Sequence, residues 1–279
     1  MNSVPPAGPS GRLAFIGGGN MARSLIGALV RSGTAASEIV VAEPNADLRK
    51  ALAHDFGVTV HAQAHAAADG AATLVIAVKP QVLKAVCAEI AEIVAAQRPL
   101  LISIAAGIRI EQIQAWLGGE RAIVRAMPNT PALIGAGASG MIANAATSAD
   151  QRAQAQAILG AAGSTAWIAR EDLMDTVTAL SGSGPAYFFL LVEALEDAAV
   201  AQGLPRETAR ALATQTCLGA GRMLVEDGEA PTVLRERVTS PGGTTAAALD
   251  AFAAGGLREL VSSAIAAATR RGRELSNPS

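Results

Sequence analysis

The sequence predicts an α/β domain built on a doubly wound parallel sheet, followed by an all-helical domain. Three observations carry this reading. Short apolar strands alternate with helical stretches from Arg12 to Ala126, and such alternation builds a parallel sheet with helices on both faces. The first strand runs straight into glycines and then a helix. From about Glu171 the alternation stops, and long helical stripes follow.

Composition agrees with a large globular chain. Its 279 residues suggest two domains at roughly 150 residues each. With 51% hydrophobic residues, 16% charged and a formal net charge of −2, the chain lacks the low hydrophobicity and high charge of disorder. No block of Lys and Arg offers a footprint for nucleic acid or an anionic membrane, so neither is expected as a partner. No window approaches the roughly 20 apolar residues of a spanning helix; the best, Tyr187 to Leu195, is interrupted by Glu193 and followed by Glu196 and Asp197. Residues 1–11, rich in Pro, Gly and Ser, read as a mobile tail without the pattern of a secretion signal, and a cytoplasmic location is expected. Cys87 and Cys217 are far apart and belong to no Cys/His cluster, so no disulfide or metal site is expected.

Each element follows from local pattern. Leu13-Ala14-Phe15-Ile16 is a buried strand leading into a helix over 21–31. Strands are predicted over 39–42, 58–60, 74–78, 100–104 and 122–126. Helices fall between them over 47–56, 64–68, 82–96 and 110–117. Residues 12–170 thus form the predicted sheet domain and 171–279 the helical one. In the latter, Tyr187, Leu191, Leu195 and Ala199 recur at i, i+4 spacing. Pro205 suits the first turn of a second helix carrying Leu212, Thr216, Met223 and Leu224. Leu257, Leu260, Val261, Ala264, Ile265 and Ala268 form a third stripe ending in Arg270, Arg271 and Arg273, cations that favour a helix C-terminus. These apolar faces exceed what a bundle of about 105 residues buries alone, so a partner subunit is expected to cover them.

The motifs point to a bound dinucleotide. Gly17-Gly18-Gly19-Asn20-Met21-Ala22 matches G-x-G-x-x-A at the end of a strand and the start of a helix. There Gly17 permits the turn, Gly19 lets backbone approach a pyrophosphate, and helix N–H groups face the phosphates. This makes the first domain Rossmann-like. Glu43 closes the second strand, where an acid accepts from the adenosine ribose hydroxyls and repels a 2′-phosphate; a surface turn is the alternative. Val78-Lys79-Pro80 and Ala105-Ala106-Gly107 end the fourth and fifth strands, where ligands of open α/β sheets bind. Met127-Pro128-Asn129-Thr130-Pro131 is a stiff turn able to present Asn129 or Thr130, or simply a rigid loop. Two further loops, Ser181 to Tyr187 and Ser240-Pro241-Gly242-Gly243-Thr244-Thr245, combine hydroxyls with backbone N–H groups at helix starts, a cradle suited to a carboxylate or ordinary capping. His54, His61 and His65 all fall in the adenosine half, so no histidine is expected at the reacting centre.

Taken in order, residues 15–22, Ala-Val-Lys-Pro-Gln (77–81), Ser-Ile-Ala-Ala-Gly (103–107), Met-Pro-Asn-Thr-Pro-Ala (127–132), Leu-Ser-Gly-Ser-Gly-Pro-Ala-Tyr (180–187) and Thr-Ser-Pro-Gly-Gly-Thr-Thr (239–245) resemble the pyrroline-5-carboxylate reductase family. The resemblance covers nearly the whole chain after the tail. It implies reduction of 1-pyrroline-5-carboxylate to L-proline with NADPH or NADH, the last step of proline biosynthesis. It also implies a helical dimerisation domain and a homodimer, with decamers of five dimers in many relatives. The cofactor would be held by Gly17, Gly18, Gly19, Asn20, Met21, Glu43, Val78, Lys79, Pro80, Ala105, Ala106 and Gly107. The substrate would be held by Met127, Pro128, Asn129, Ser240, Gly242, Gly243, Thr244 and Thr245, with Thr245 catalytic at the ring nitrogen. The chain departs from the family pattern at Glu43, where many relatives carry Ser or Asn, and at Ala64, where many carry Asn. Other readings are a related imine or 3-hydroxyacid dehydrogenase, or a non-catalytic nucleotide-binding protein. The 3-hydroxyacid type would use a lysine on the first long helix of the helical domain, and this chain has no lysine after Lys84.

Overall fold

The computed structural model describes residues 11–276, so the predicted tail, except Gly11, lies outside the described residues. The chain alternates as β1 (Leu13–Ile16), α1 (Asn20–Arg31), β2 (Ile39–Ala42), α2 (Ala46–Phe56), β3 (Thr59–His61), α3 (Ala64–Ala68), β4 (Thr73–Ile76), α4 (Pro80–Gln97), β5 (Leu100–Ser103), α5 (Ile110–Trp116) and β6 (Ile123–Met127). These strands lie in the order β3-β2-β1-β4-β5-β6 and all run parallel. Because side chains alternate along a strand, Leu13 and Phe15 of β1 pack into one core with Leu25, Ile26 and Leu29 of α1. Ala14 and Ile16 pack into the opposite core with Leu83 and Ile90 of α4. Both faces of the sheet are covered, which is why β1 and β2 are fully buried apolar runs and β4 and β5 are fully buried with one polar residue each, Thr73 and Ser103.

Local sequence sets the helix boundaries. The Asn45 side chain caps α2 by accepting from the N–H groups of Asp47 and Leu48. Ser148 and Gln151 form a reciprocal capping box on α6 (Ala149–Gly160). Pro80 occupies the first turn of α4, with Lys79 as its N-cap, so β4 stops at Ile76 rather than at the expected Val78.

One expectation needs correction: the sheet is not parallel throughout. After β6, a 3-10 turn over Thr130–Ile134 reverses the chain into β7 (Gly137–Ala143), which pairs antiparallel with β6. Helix α6 then leads to β8 (Gly163–Trp167), parallel to β7 at the sheet edge. Pro128 and Pro131 bracket a connection too short for a helical crossover, and a short connection between neighbouring strands gives an antiparallel pair. Asn129 fixes the reversal: its side-chain oxygen accepts from the Ala138 N–H at 2.8 Å, and its amide donates to the Ser181 carbonyl at 2.9 Å.

The described residues divide into two compact units. The sheet unit comprises residues 11–182 and 268–276, and therefore includes α7 (Met174–Val177) and a π-helical turn over Thr178–Gly182. In it, Glu171 accepts from the Ile110 N–H and from Arg125, a buried β6 guanidinium, both at 2.9 Å. The helical unit, Ser183–Ala267, contains α8 (Gly184–Ala201), α9 (Arg206–Glu226), α10 (Pro231–Arg237), α11 (Thr244–Ala254) and the start of α12 (Leu257–Ser276). Helix α8 is apolar nearly all round. Among its residues only Gly184 and Glu196 are buried, while Phe188, Phe189 and Leu190 are each more than 60% exposed. Its exposed apolar surface is wider than the single stripe expected from sequence, and a helix of that kind is ordinarily enclosed.

The last nine described residues return to the sheet unit. Ser276 donates to Asp175 at 2.9 Å, both side chains being buried. The Leu275 carbonyl lies 3.4 Å from where a Cβ on Gly107 would stand. Among the described residues, no helix is long and apolar enough to cross a membrane, and no cluster of His, Cys, Asp or Glu is arranged to hold a metal.

Candidate active site

The strand register gathers the sheet-domain motifs. Ile16 lies level with Ala42 of β2 and Ile76 of β4, and Ile76 with Ser103 of β5. The segments that follow, Gly17–Gly19, Glu43, Ala77–Pro80 and Ile104–Gly107, therefore emerge side by side at the carboxyl ends of adjacent strands. Backbone bonds stitch them together: Gly17 N–H donates to the Ala42 carbonyl, and Ala77 N–H to the Ile16 carbonyl, both at 2.8 Å. Met127 ends β6 on the same side, and its Cε lies 3.0 Å from where a Cβ on Gly182 would stand.

The three glycines of the turn do different work. Gly17 has φ +103°, and a Cβ there would stand 2.7 Å from the Ala77 carbonyl oxygen, so the fold itself demands glycine. A Cβ on Gly18 would stand 2.5 Å from Leu52 Cδ1. Gly19 is unlike either: it has φ −69°, open to any residue, and nothing within 4 Å of a would-be Cβ. It is also the N-cap of α1 and supplies no side-chain cap, so the first-turn N–H groups at Asn20 and Met21 face outward without a protein acceptor from that source. An uncapped helix start beside a glycine that the chain does not itself require fits a pyrophosphate.

Glu43 is 8% exposed. Its Oε2 accepts from the Gly18 N–H and its Oε1 from the Asn45 N–H, each at 2.9 Å. Arg49, which sequence reasoning passed over, donates from Nη1 to the Glu43 and Pro44 carbonyls at 2.7 Å. Its signal in the sequence is only its place on the first turns of α2 after the Glu-Pro-Asn bend. Lys79 and Ala106 are exposed, Val78, Pro80 and Gly107 half-buried, and Ala105 buried. Pro128 and Asn129 are buried and Met127 half-buried; the Asn129 amide is committed to the strand reversal described above.

In the helical unit, Gly243 is the N-cap of α11, again without a side-chain cap. The Gly243 N–H donates to the Ser240 carbonyl at 3.1 Å, and the first helical bond runs from the Ala247 N–H to the Gly243 carbonyl, so the amides of Thr244, Thr245 and Ala246 are the first-turn donors without an intrahelical acceptor. A Cβ on Gly243 would stand 2.5 Å from Ser240 Oγ, so the loop is tightly folded. Ser240, Gly242 and Thr244 are exposed and Thr245 half-buried. The second hydroxyl-bearing loop begins inside the π-helical turn, where Ser181 Oγ donates to the Val177 carbonyl at 3.0 Å.

The remaining titratable groups lie elsewhere. His54 and His65 are exposed beside Asp55 and Glu89, at 3.0 and 3.2 Å, and His61 is half-buried on β3. Burial pushes the Cys87 thiol up to about 11.

The comparisons with known proteins bear on the family and the fold. Residues 171–275 match the family model for pyrroline-5-carboxylate reductase dimerisation, and residues 12–107 the model for NADP oxidoreductase, coenzyme F420-dependent. A pyrroline-5-carboxylate reductase from Pseudomonas aeruginosa is 49% identical over 265 residues, covering 95% of this chain and 96% of that protein. The solved structure of a pyrroline-5-carboxylate reductase from Coxiella burnetii superposes with a TM-score of 0.94 at 42% identity, covering 96% of this chain and 99% of that one. A Plasmodium falciparum pyrroline carboxylate reductase with NADP bound gives a TM-score of 0.83 at 28% identity, covering 97% and 100%. With near-full-length identity of this order and the same fold, the chain belongs to the pyrroline-5-carboxylate reductase family.

Proposed function

We propose that the chain is a cytoplasmic, NAD(P)H-dependent reductase that converts 1-pyrroline-5-carboxylate to L-proline, closing proline biosynthesis. The observation that carries this reading is 49% identity to a reductase of that name over 95% of the chain. Residues 12–170 take the cofactor role, and 171–279 the roles of substrate binding and dimerisation.

The Gly17–Met21 segment receives the pyrophosphate at the start of α1, and Glu43 the adenosine ribose. Val78, Lys79, Pro80, Ala105, Ala106 and Gly107 flank the rest of the dinucleotide. When bound, the nicotinamide supplies a hydride to the imine carbon. Met127 and Pro128 offer an apolar wall that excludes water, with Asn129 holding the turn that carries them. Ser240 and Gly242 shape the loop of the helical unit, and its Thr244 and Thr245 amides hold the substrate carboxylate. Gly243 is assigned to folding that loop, its own N–H being spent on Ser240. Thr245 Oγ1 stands at the ring nitrogen, as acceptor for the iminium proton and then partner of the amine. A protonated imine is already a strong hydride acceptor, so orientation and exclusion of water suffice without a histidine.

The enzyme is a homo-oligomer in this reading. The dimer forms through the helices matched by the dimerisation model, where Phe188, Phe189 and Leu190 lie exposed in the single chain, and five dimers build a decamer. The test is imine-dependent oxidation of NADH and NADPH by the purified protein. Turnover with formation of proline is expected; saturable nucleotide binding without imine turnover would overturn the reading in favour of a non-catalytic nucleotide-binding protein.

A further inference from the structure

We propose that Glu43 makes this chain select NADH over NADPH, with Arg49 standing by as a cation that takes over only when the carboxylate is gone. The inference rests on the reductase reading and deepens it at the adenosine end of the same site.

A carboxylate offers about four lone-pair directions, two on each oxygen. In Glu43 one direction on each is filled, by Gly18 N–H on Oε2 and Asn45 N–H on Oε1. One acceptor site remains on each oxygen. That number matches two vicinal hydroxyls, the 2′- and 3′-OH of an unphosphorylated adenosine ribose. The two backbone bonds hold the carboxylate in place, so it cannot swing away when a different ligand arrives. A 2′-phosphate removes one donor and brings roughly −1.5 to −2 charges toward a fixed negative group. Since Glu43 is only 8% exposed, water screens that repulsion poorly.

The nearby cation does not offset this. Arg49 is bound through Nη1 to the Glu43 and Pro44 carbonyls, so its guanidinium is tied to the same bend that carries the carboxylate. Removing the carboxylate while keeping the bend would leave the Arg49 guanidinium on that bend without the carboxylate beside it, and guanidinium groups suit phosphate.

The experiment is isothermal titration of the full chain with NADH and NADPH, and with ADP-ribose and 2′-phospho-ADP-ribose, which cannot react. The unphosphorylated member of each pair is expected to bind at least about tenfold tighter. Glu43→Gln, which keeps one oxygen acceptor and the side-chain shape, should cut that ratio severalfold or more, and Glu43→Ser should bring it to unity or reverse it. Adding Arg49→Ala to Glu43→Ser should abolish the gain for the phosphorylated ligands. Equal or tighter binding of the phosphorylated ligands by the wild type would overturn the proposal alone, as would an unchanged ratio in Glu43→Gln. Binding of none of the four would overturn the dinucleotide site with it.

Discussion

Gly19→Ala separates folding from cofactor binding. In the free chain a Cβ at residue 19 meets nothing within 4 Å, and its φ of −69° and ψ of −175° suit alanine. Alanine is a poorer N-cap than glycine by about 0.5–1 kcal/mol. It also restricts the unfolded chain, a gain of about 0.4–1 kcal/mol. The two nearly cancel, so the melting temperature should move by no more than about 2 °C. The methyl group would instead hold a pyrophosphate away from the first-turn amides of α1. Losing one charge-assisted hydrogen bond of about 1.5–3 kcal/mol weakens binding roughly ten- to hundredfold. Calorimetric titration with both nucleotides, beside a thermal melt, reads the two effects independently. Gly17→Ala is the control, since its Cβ would stand 2.7 Å from the Ala77 carbonyl oxygen at φ +103°, and it should cost at least about 2 kcal/mol of stability. A folded Gly19→Ala protein that binds both nucleotides with wild-type affinity would refute the assignment of that open space to a ligand.

Three further outcomes are expected. Thr245→Ala should lower kcat/KM for the imine about ten- to hundredfold while NADH affinity is kept, as read by steady-state kinetics and titration; the reverse pattern would remove this loop from the substrate site. Leu195→Glu, on the exposed apolar surface of α8, should convert the oligomer to an inactive smaller species by light scattering, and an active oligomer of unchanged mass would contradict the dimer assignment. Arg210 and Arg206 donate to Glu196 and hold its carboxyl below the usual glutamate range. Its folded pKa being depressed, the stabilisation is complete above the ordinary value of about 4.3 and disappears as the pH falls through the lowered one. Glu196→Gln should therefore be less stable than wild type in neutral denaturant melts, with the gap closing only in acid.

Legibility of the fold followed apolar pattern. Leu13–Ile16, Ile39–Ala42 and Leu100–Ser103 are continuous buried runs, and each is found within a residue or so of its expected place. Strand β7, Gly-Ala-Ser-Gly-Met-Ile-Ala, has one β-branched residue and gave no such signal. Its glycines answer to close packing instead: a Cβ on Gly140 would stand 2.4 Å from Val177, and one on Gly163 of β8 would stand 2.0 Å from the Gly137 carbonyl oxygen. Strands made by backbone approach leave no hydrophobic trace, and that hid both β7 and the antiparallel turn. Helices α10 and α11 lie outside the three stripes read from the sequence, one being short and charged and the other alanine-rich. At the candidate site, the role of Glu43 is a proposal, while its place just beyond the second strand was readable from its distance beyond the glycines. Arg49 was not, because its partners are carbonyl groups that any sequence would provide. The Ser240–Thr245 loop was readable as a helix start, but which of its amides stay unpaired depended on the Gly243 bond to Ser240.

The closing turn of α12 bears on how the protein is made. The sheet unit begins near residue 11 yet contains residues 268–276, whose Ser276 is locked to Asp175 and whose Leu275 lies over Gly107. A nascent chain can pack β1 to β8 as they emerge, but it cannot finish this unit until the whole helical unit has also been translated. The loop at Ala105–Gly107 is thus among the last parts of the sheet unit to acquire all its neighbours. A ribosome-bound or truncated chain ending before residue 268 would carry its glycine turn complete and this loop still bare.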